Sequence, residues 1–187
     1  GVEVVMTKEA HPTGTDRLAE AVVKLGLSDK EIVVNVQGDE PLMPPEAINK
    51  VAALLIEKPK CAIATAAHPI TDVDSFKNPN VVKVVRDFEG NALNFSRSPI
   101  PYPRDEWRTN PELLPSSIVP LHHLGLYAYR VGFLKRFPTL DQAPIEKAES
   151  LEQLRALFYG EKIAVTVFNK SLPAYTNTLL RWLYPSG

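Results

Sequence analysis

Hydrophobic positions in this chain alternate between two periods. Residues 2–6 (Val-Glu-Val-Val-Met) form an apolar run that reads as a buried strand. Residues 16–25 then carry Leu18, Val22 and Leu25 on one helical face, with Gly26 as the stop. Residues 31–36 return to a β-type run. A helix follows over 45–57, where Ile48, Val51, Ala52 and Leu55 recur at helical spacing and Pro45 stands in the first turn. Residues 61–67 read as a strand without alternation, as expected when both faces are buried. The succession β-α-β-α-β predicts a parallel sheet with right-handed crossovers.

The pattern changes after residue 80. Residues 81–86 and 92–96 read as strands flanking Asp87-Phe88-Glu89-Gly90-Asn91, a hairpin signature. Residues 97–120 form a long proline-rich loop, and loops of that length are usually functional or contact-forming. A strand over 123–130, a short helix over 131–137, a longer helix over 144–159 and a last strand over 162–168 complete the chain. The reading is one α/β domain over 1–187 with a β-rich insertion at about 76–130.

Open α/β sheets hold ligands at the carboxyl edge of their strands. The 31–36 strand delivers Asn35-Val36-Gln37-Gly38-Asp39-Glu40-Pro41 to that edge. Gly38 permits a sharp turn and Pro41 ends the strand. Asp39 suits a magnesium ion carried by a nucleotide, since Mg²⁺ takes one or two carboxylates and fills its other sites with water and phosphate oxygens. As a bare motif it equally suits a helix cap.

Bulk properties narrow the classes. With 44% apolar and 23% charged residues the chain can build an ordinary core. The formal charge of −1, with both signs interspersed, offers no basic stripe to nucleic acid or to an anionic membrane. No apolar run approaches the length of a membrane span. Cys61 is the only cysteine, so no internal disulfide forms, which fits a reducing cytoplasm. His122 and His123 point to opposite faces of their strand and cannot chelate one metal together. No His–Cys spacing resembles a zinc site.

Six blocks carry a resemblance when read in order. They are Gly14-Thr15-Asp16-Arg17-Leu18-Ala19-Glu20, the segment from Asn35 to Pro41, and Asn78-Pro79-Asn80-Val81-Val82-Lys83-Val84-Val85. Phe95-Ser96-Arg97-Ser98-Pro99-Ile100-Pro101, His123-Leu124-Gly125-Leu126-Tyr127 and Leu151-Glu152-Gln153-Leu154-Arg155 follow. Together they resemble the 3-deoxy-manno-octulosonate cytidylyltransferase (CMP-Kdo synthetase) family, from about residue 2 to residue 168.

The resemblance implies a Rossmann-like nucleotidyltransferase sheet with helices on both faces and a β-rich dimerisation extension. It implies a cytoplasmic homodimer that transfers CMP from CTP to Kdo, with Mg²⁺, releasing pyrophosphate and serving lipopolysaccharide synthesis. It assigns Asp39 to the metal and to catalysis, and Gly14, Thr15, Arg17 and Gln37 to the nucleotide. Arg97 falls to the Kdo carboxylate, which a guanidinium meets through a planar two-point contact; a surface ion pair is the other reading. His123 and Tyr127 fall to the sugar pocket, although a lone strand histidine also suits a hydrogen-bonded core. Glu152 and Gln153 fall to the sugar hydroxyls, and Glu152 is also the nearest general base; alone, it would be a solvated helix glutamate.

Two family segments are not met. A phosphate loop would precede Gly1, and a Gly-Val-Asp-Thr segment with a second metal carboxylate would follow Leu172-Pro173-Ala174. The chain instead continues Tyr175-Thr176-Asn177-Thr178, with no acid after Glu161. On these grounds preceding βα units are expected to be missing and the 187 residues alone to be inactive. The competing readings are a CMP-sialic acid synthetase-like enzyme and a non-catalytic nucleotide-binding remnant.

Overall fold

The structure, a computed structural model, describes residues 4–36 and 43–169. Helix α1 spans Gly14–Lys24 and begins where Thr13 caps it, its side chain accepting from the Asp16 amide. The helix therefore begins two residues before the start expected at residue 16. Strand β1 spans Ile32–Asn35, and helix α2 spans Pro45–Glu57 as expected. Strand β2 spans Cys61–Pro69, with its first seven residues buried. A short helix α3, Val73–Lys77, precedes the hairpin of β3, Lys83–Arg86, and β4, Ala92–Ser96. Then come α4 (Arg104–Thr109), β5 (Leu121–Arg130), α5 (Val131–Arg136), α6 (Pro144–Glu149), α7 (Gln153–Phe158) and β6 (Lys162–Val167).

Among the described residues the sheet has six strands, in the order β4-β3-β5-β2-β6, with β1 also pairing β5. It is mixed where a parallel sheet was expected. β2 and β6 are parallel, but β5 lies antiparallel to both β1 and β2 and separates them. A strand from the late part of the chain has entered between two early ones, a choice of partner that local periodicity does not encode.

Helices cover both faces. On one, α1, α5, α7 and the turn before α7 bring Val22, Phe133, Leu134, Leu154 and Leu151 onto a sheet surface that includes Ile63, Phe95 and Tyr129. On the other, α2 lays Ala47, Val51 and Leu55 against Ala64, Ala66, Leu126 and Ala128. The alanines keep that surface low, so the helix packs closely.

Three further expectations change. Residues 4–6 form no strand: the side chains of Val4 and Met6 stand in solvent, and residues 2–3 lie outside the described residues. The long loop contains α4, whose Trp107 is buried with Phe76 and Ile70. The single helix over 144–159 is two helices. Ser150 adopts a left-handed conformation (φ 52°) and ends α6, and the chain re-enters a helix only at Gln153. A buried ion pair fastens the break: Arg155 Nη2 lies 2.6 Å from Glu146 Oε1, and its Nε donates to Glu146 Oε2 at 2.8 Å.

Candidate active site

β5 changes neighbour partway along one edge. At His122 it pairs Lys83 of β3, and from Tyr127 to Arg130 it pairs β1. Residues 124–126 pair with neither strand. On the other edge the register with β2 jumps between Thr65↔Tyr127 and Ala66↔Leu124, so Gly125 and Leu126 form a bulge. Bulges re-aim side chains beside functional sites, and a change of strand neighbour opens a crevice. A cleft of about 810 Å³ lies there, and Gly125 is in its wall.

The cleft gathers most of the residues singled out from sequence. Gly14, Arg97, His123, Tyr127, Glu152 and Gln153 all line it. Thr15 is buried behind Gly14 at the start of α1, where its amide donates to Glu152 Oε2 at 3.4 Å. Arg17 does not line the cleft; its guanidinium donates to Thr7 Oγ1 and the Glu9 carbonyl. Gln37 and Asp39 lie outside the described residues. Among the described residues no group of three or more His, Cys, Asp or Glu side chains could hold a metal ion.

Arg97 is held from several sides. Its Nε donates to the Glu149 carbonyl at 2.6 Å and its Nη1 to the Pro79 carbonyl at 3.0 Å. Its own amide donates to Glu149 Oε2 at 2.9 Å, while Ser96 Oγ donates to Glu149 Oε1. The guanidinium forms no ion pair with a carboxylate among the described residues, so the reading of Arg97 as a surface ion pair does not hold there. Beneath it, fully buried Lys83 donates to the carbonyls of Asn78, Val81 and Arg97. Burial lowers the Lys83 pKa; Glu149 pulls it back up, and the Arg97 charge adds a smaller push down. Lys83 and Glu149 thus fix the pitch of Arg97, and neither was singled out from sequence. A lysine inside the run Val81-Val82-Lys83-Val84-Val85 was a signal for the first. Nothing in sequence links Glu149 to Arg97.

His123 has a defined proton. Thr65 Oγ1 has one hydrogen, given to the Leu126 carbonyl at 2.8 Å, so at 3.0 Å from His123 Nε2 it can only accept. Burial, with His122 second, holds the His123 pKa down at about 3. The ring is therefore neutral, protonated on Nε2, and Nδ1 is left as an acceptor. His123 packs edge-on against Phe95 and tilts against Tyr127, their ring centres 4.8 and 5.3 Å away. Tyr127 stacks on Tyr129, and burial raises both phenol pKa values, so they act as neutral hydrogen-bonding groups.

Glu152 and Gln153 occupy the turn into α7 rather than the middle of a helix. The break at Ser150 is what turns them toward α1 and the cleft. Gln153 is only 5% exposed, and its Nε2 has no hydrogen-bond partner among the described residues. A buried amide with a spare donor costs free energy unless a ligand or water meets it. The site therefore offers a fixed guanidinium, a neutral imidazole acceptor, a phenol, an amide and a carboxylate, all suited to a hydroxylated acid.

Comparison with known proteins fits this chemistry. The chain belongs to the cytidylyltransferase family, whose model matches residues 1–163. It is 54% identical over 165 residues to a 3-deoxy-manno-octulosonate cytidylyltransferase of Leptothrix cholodnii, covering 88% of this chain and 60% of that protein. A solved CMP:2-keto-3-deoxy-manno-octonic acid synthetase complexed with CTP matches with a TM-score of 0.79 at 36% identity, over 91% of this chain and 66% of that one. The fold is thus a Rossmann-like nucleotidyltransferase sheet with helices on both faces. The chain spans under two thirds of the length of these two relatives.

Proposed function

We propose that the protein is a cytidylyltransferase that transfers CMP from CTP to Kdo and releases pyrophosphate. The observation that carries this reading is the cleft itself. Arg97, His123, Tyr127, Glu152 and Gln153, drawn from three separate stretches of sequence, line one cavity beside the N-terminus of α1. Arg97 is placed to take the sugar carboxylate, because its fork is already oriented by two backbone carbonyls. Gln153 donates to a sugar hydroxyl, and His123 Nδ1 accepts from another. Gly14 and Thr15, at the start of α1, receive the nucleotide, where helix N-terminal amides favour an electron-rich group.

Attack of the sugar's anomeric hydroxyl on the α-phosphate calls for positioning and charge neutralisation more than for covalent help. Mg²⁺ bound with the nucleotide supplies charge neutralisation at the phosphates, and Asp39 is the carboxylate proposed to hold it. Glu152, a carboxylate in the cleft lining, is the proposed proton acceptor. Gln37 and Arg17 complete the nucleotide side of the proposal.

A homodimer through the hairpin and the 76–130 region is part of the same reading. It is supported by exposed Leu93 on β4 and exposed Val119, and light scattering that shows only monomer would reject it. Cytoplasmic action and a role in lipopolysaccharide synthesis follow from the substrate. Among the described residues no helix is long and apolar enough to cross a membrane. The test is pyrophosphate release from CTP with Mg²⁺ by the protein at the length of its relatives, comparing Kdo with N-acetylneuraminate: Kdo-dependent release supports the reading, and release with the sialic acid alone replaces it with the CMP-sialic acid alternative.

A further inference from the structure

Glu149 does not line the cleft, yet it holds Arg97, which does, at both ends. It is the last residue of α6, and Ser150 then turns left-handed. The last carbonyls of a helix have no partner inside it. That of Glu149 accepts from Arg97 Nε at 2.6 Å. The carboxylate of the same residue spans the exit of β4. Its Oε2 accepts the Arg97 amide at 2.9 Å and its Oε1 the Ser96 hydroxyl at 2.6 Å. Ser96 Oγ in turn accepts the Ser98 amide at 3.0 Å. One residue thus grips both the backbone and the head group of Arg97.

The loop before β3 holds the other side. The Pro79 carbonyl accepts from Arg97 Nη1 at 3.0 Å. Lys83 Nζ ties together the carbonyls of Asn78 and Val81, on either side of Pro79, and that of Arg97 itself. A guanidinium is planar, with five N–H bonds in fixed directions. Nε–H and one Nη1–H of Arg97 are spent on carbonyls, and Nη2 has no partner among the described residues. The Nε–Nη2 side is therefore closed to a two-point contact. A ligand carboxylate is left the Nη1–Nη2 end.

We infer that Glu149 is a positioning residue for recognition of the sugar-acid carboxylate, setting which end of the Arg97 guanidinium is offered to it. The inference rests on reading Arg97 as the carboxylate contact. Glu149 acts through hydrogen-bond geometry rather than through its charge. A glutamine in its place can accept the Arg97 amide on Oε1 and donate to Ser96 Oγ through Nε2, so the brace survives without the charge. An alanine removes the brace across the β4 exit and leaves Arg97 only the main-chain carbonyl at the end of α6.

Pyrophosphate-release kinetics, on the protein at the length of its relatives, separate geometry from charge. Glu149→Ala should raise KM for Kdo roughly three- to tenfold, the worth of the lost hydrogen bonds, and leave KM for CTP unchanged. Glu149→Gln should stay close to wild type, and Ser96→Ala, which removes one of the bonds, should fall between the two. Equal rises in Glu149→Ala and Glu149→Gln would make the role one of charge and overturn the inference. An unchanged KM for Kdo in folded Glu149→Ala, or a rise shared equally by CTP, also overturns it. If Glu149→Ala does not fold, Ser96→Ala carries the test, and an unchanged KM for Kdo there has the same force. The brace itself can be read without substrate. In ¹⁵N-labelled protein the Arg97 Nε–H should exchange slowly with solvent in wild type and Glu149→Gln, and faster in Glu149→Ala. Equal exchange in all three overturns the inference. If that pattern holds but Kdo is not turned over at all, the functional reading has failed and the role toward Kdo falls with it, while the brace stands.

Discussion

Thr65→Val tests the hydrogen-bond wiring beneath the cleft with a nearly isosteric change. Thr65 is fully buried. Its hydroxyl accepts from His123 Nε2 and donates to the Leu126 carbonyl at the β5 bulge. Valine fills the same space and deletes both bonds, leaving the His123 N–H buried without a partner. A buried donor left unpaired costs about 1–3 kcal/mol. With a urea dependence of about 2 kcal/mol per molar for a domain of this size, the unfolding midpoint should fall by roughly 0.5–1.5 M. Thr65→Ser keeps the hydroxyl and loses only a methyl group, so it should lie much closer to wild type. The assay is equilibrium urea unfolding followed by circular dichroism at neutral pH. A Thr65→Val midpoint equal to wild type would show that the His123 proton is not committed as argued, and the acceptor role of Nδ1 would go with it.

Other outcomes follow from the same geometry. Arg97→Lys should raise KM for Kdo about tenfold while moving KM for CTP little, because lysine keeps the charge and loses the planar fork; a raised CTP constant with an unchanged Kdo constant would move Arg97 to the nucleotide side. Gly14→Ala should leave thermal stability intact, since a Cβ there meets nothing closer than Glu152 Oε1 at 4.0 Å, yet weaken CTP binding in calorimetry; unchanged CTP affinity would remove Gly14 from the nucleotide site. Stability should fall as pH drops below about 6.5, because burial lowers the His123 pKa to about 3 and the His122 pKa to about 4 in the native state. The unfolded chain then binds protons the folded one refuses, so stability present above the ordinary histidine value is lost between about pH 6.5 and 3, with His123 contributing up to about 4 kcal/mol. Urea midpoints that stay flat from pH 6.5 to 4 would contradict this.

What the sequence disclosed and what it hid divide along a physical line. Helix α2 was legible to its ends because Ile48, Val51, Ala52 and Leu55 repeat at helical spacing behind a first-turn proline. The β3–β4 hairpin was legible because its turn, Asp87 to Asn91, is closed by its own residues: the Asp87 amide donates to the Asn91 carbonyl, and Asn91 donates back to the Asp87 carboxylate. The place of β5 between β1 and β2 was not legible, since strand order is a long-range choice. The break at Ser150 was also hidden. Leu151, Leu154 and Phe158 keep a helical period right up to it, and the residue in the left-handed region is a serine rather than a glycine. That break is what brings Glu152 into contact with Thr15, so the helix reading had the right residues on the wrong scaffold. Arg97, His123, Tyr127 and Gln153 were reached through the order of family-like blocks. Thr65 and Glu149 were not, because their work is to orient another side chain across the sheet.

The most direct measurement of the central claim is pyrophosphate release from CTP in the presence of Mg²⁺, by the protein at the length of its relatives, with Kdo and N-acetylneuraminate compared side by side. The account predicts release that depends on Kdo and falls when Arg97 is replaced by lysine. Release that is independent of Kdo, or that requires the sialic acid instead, would contradict it.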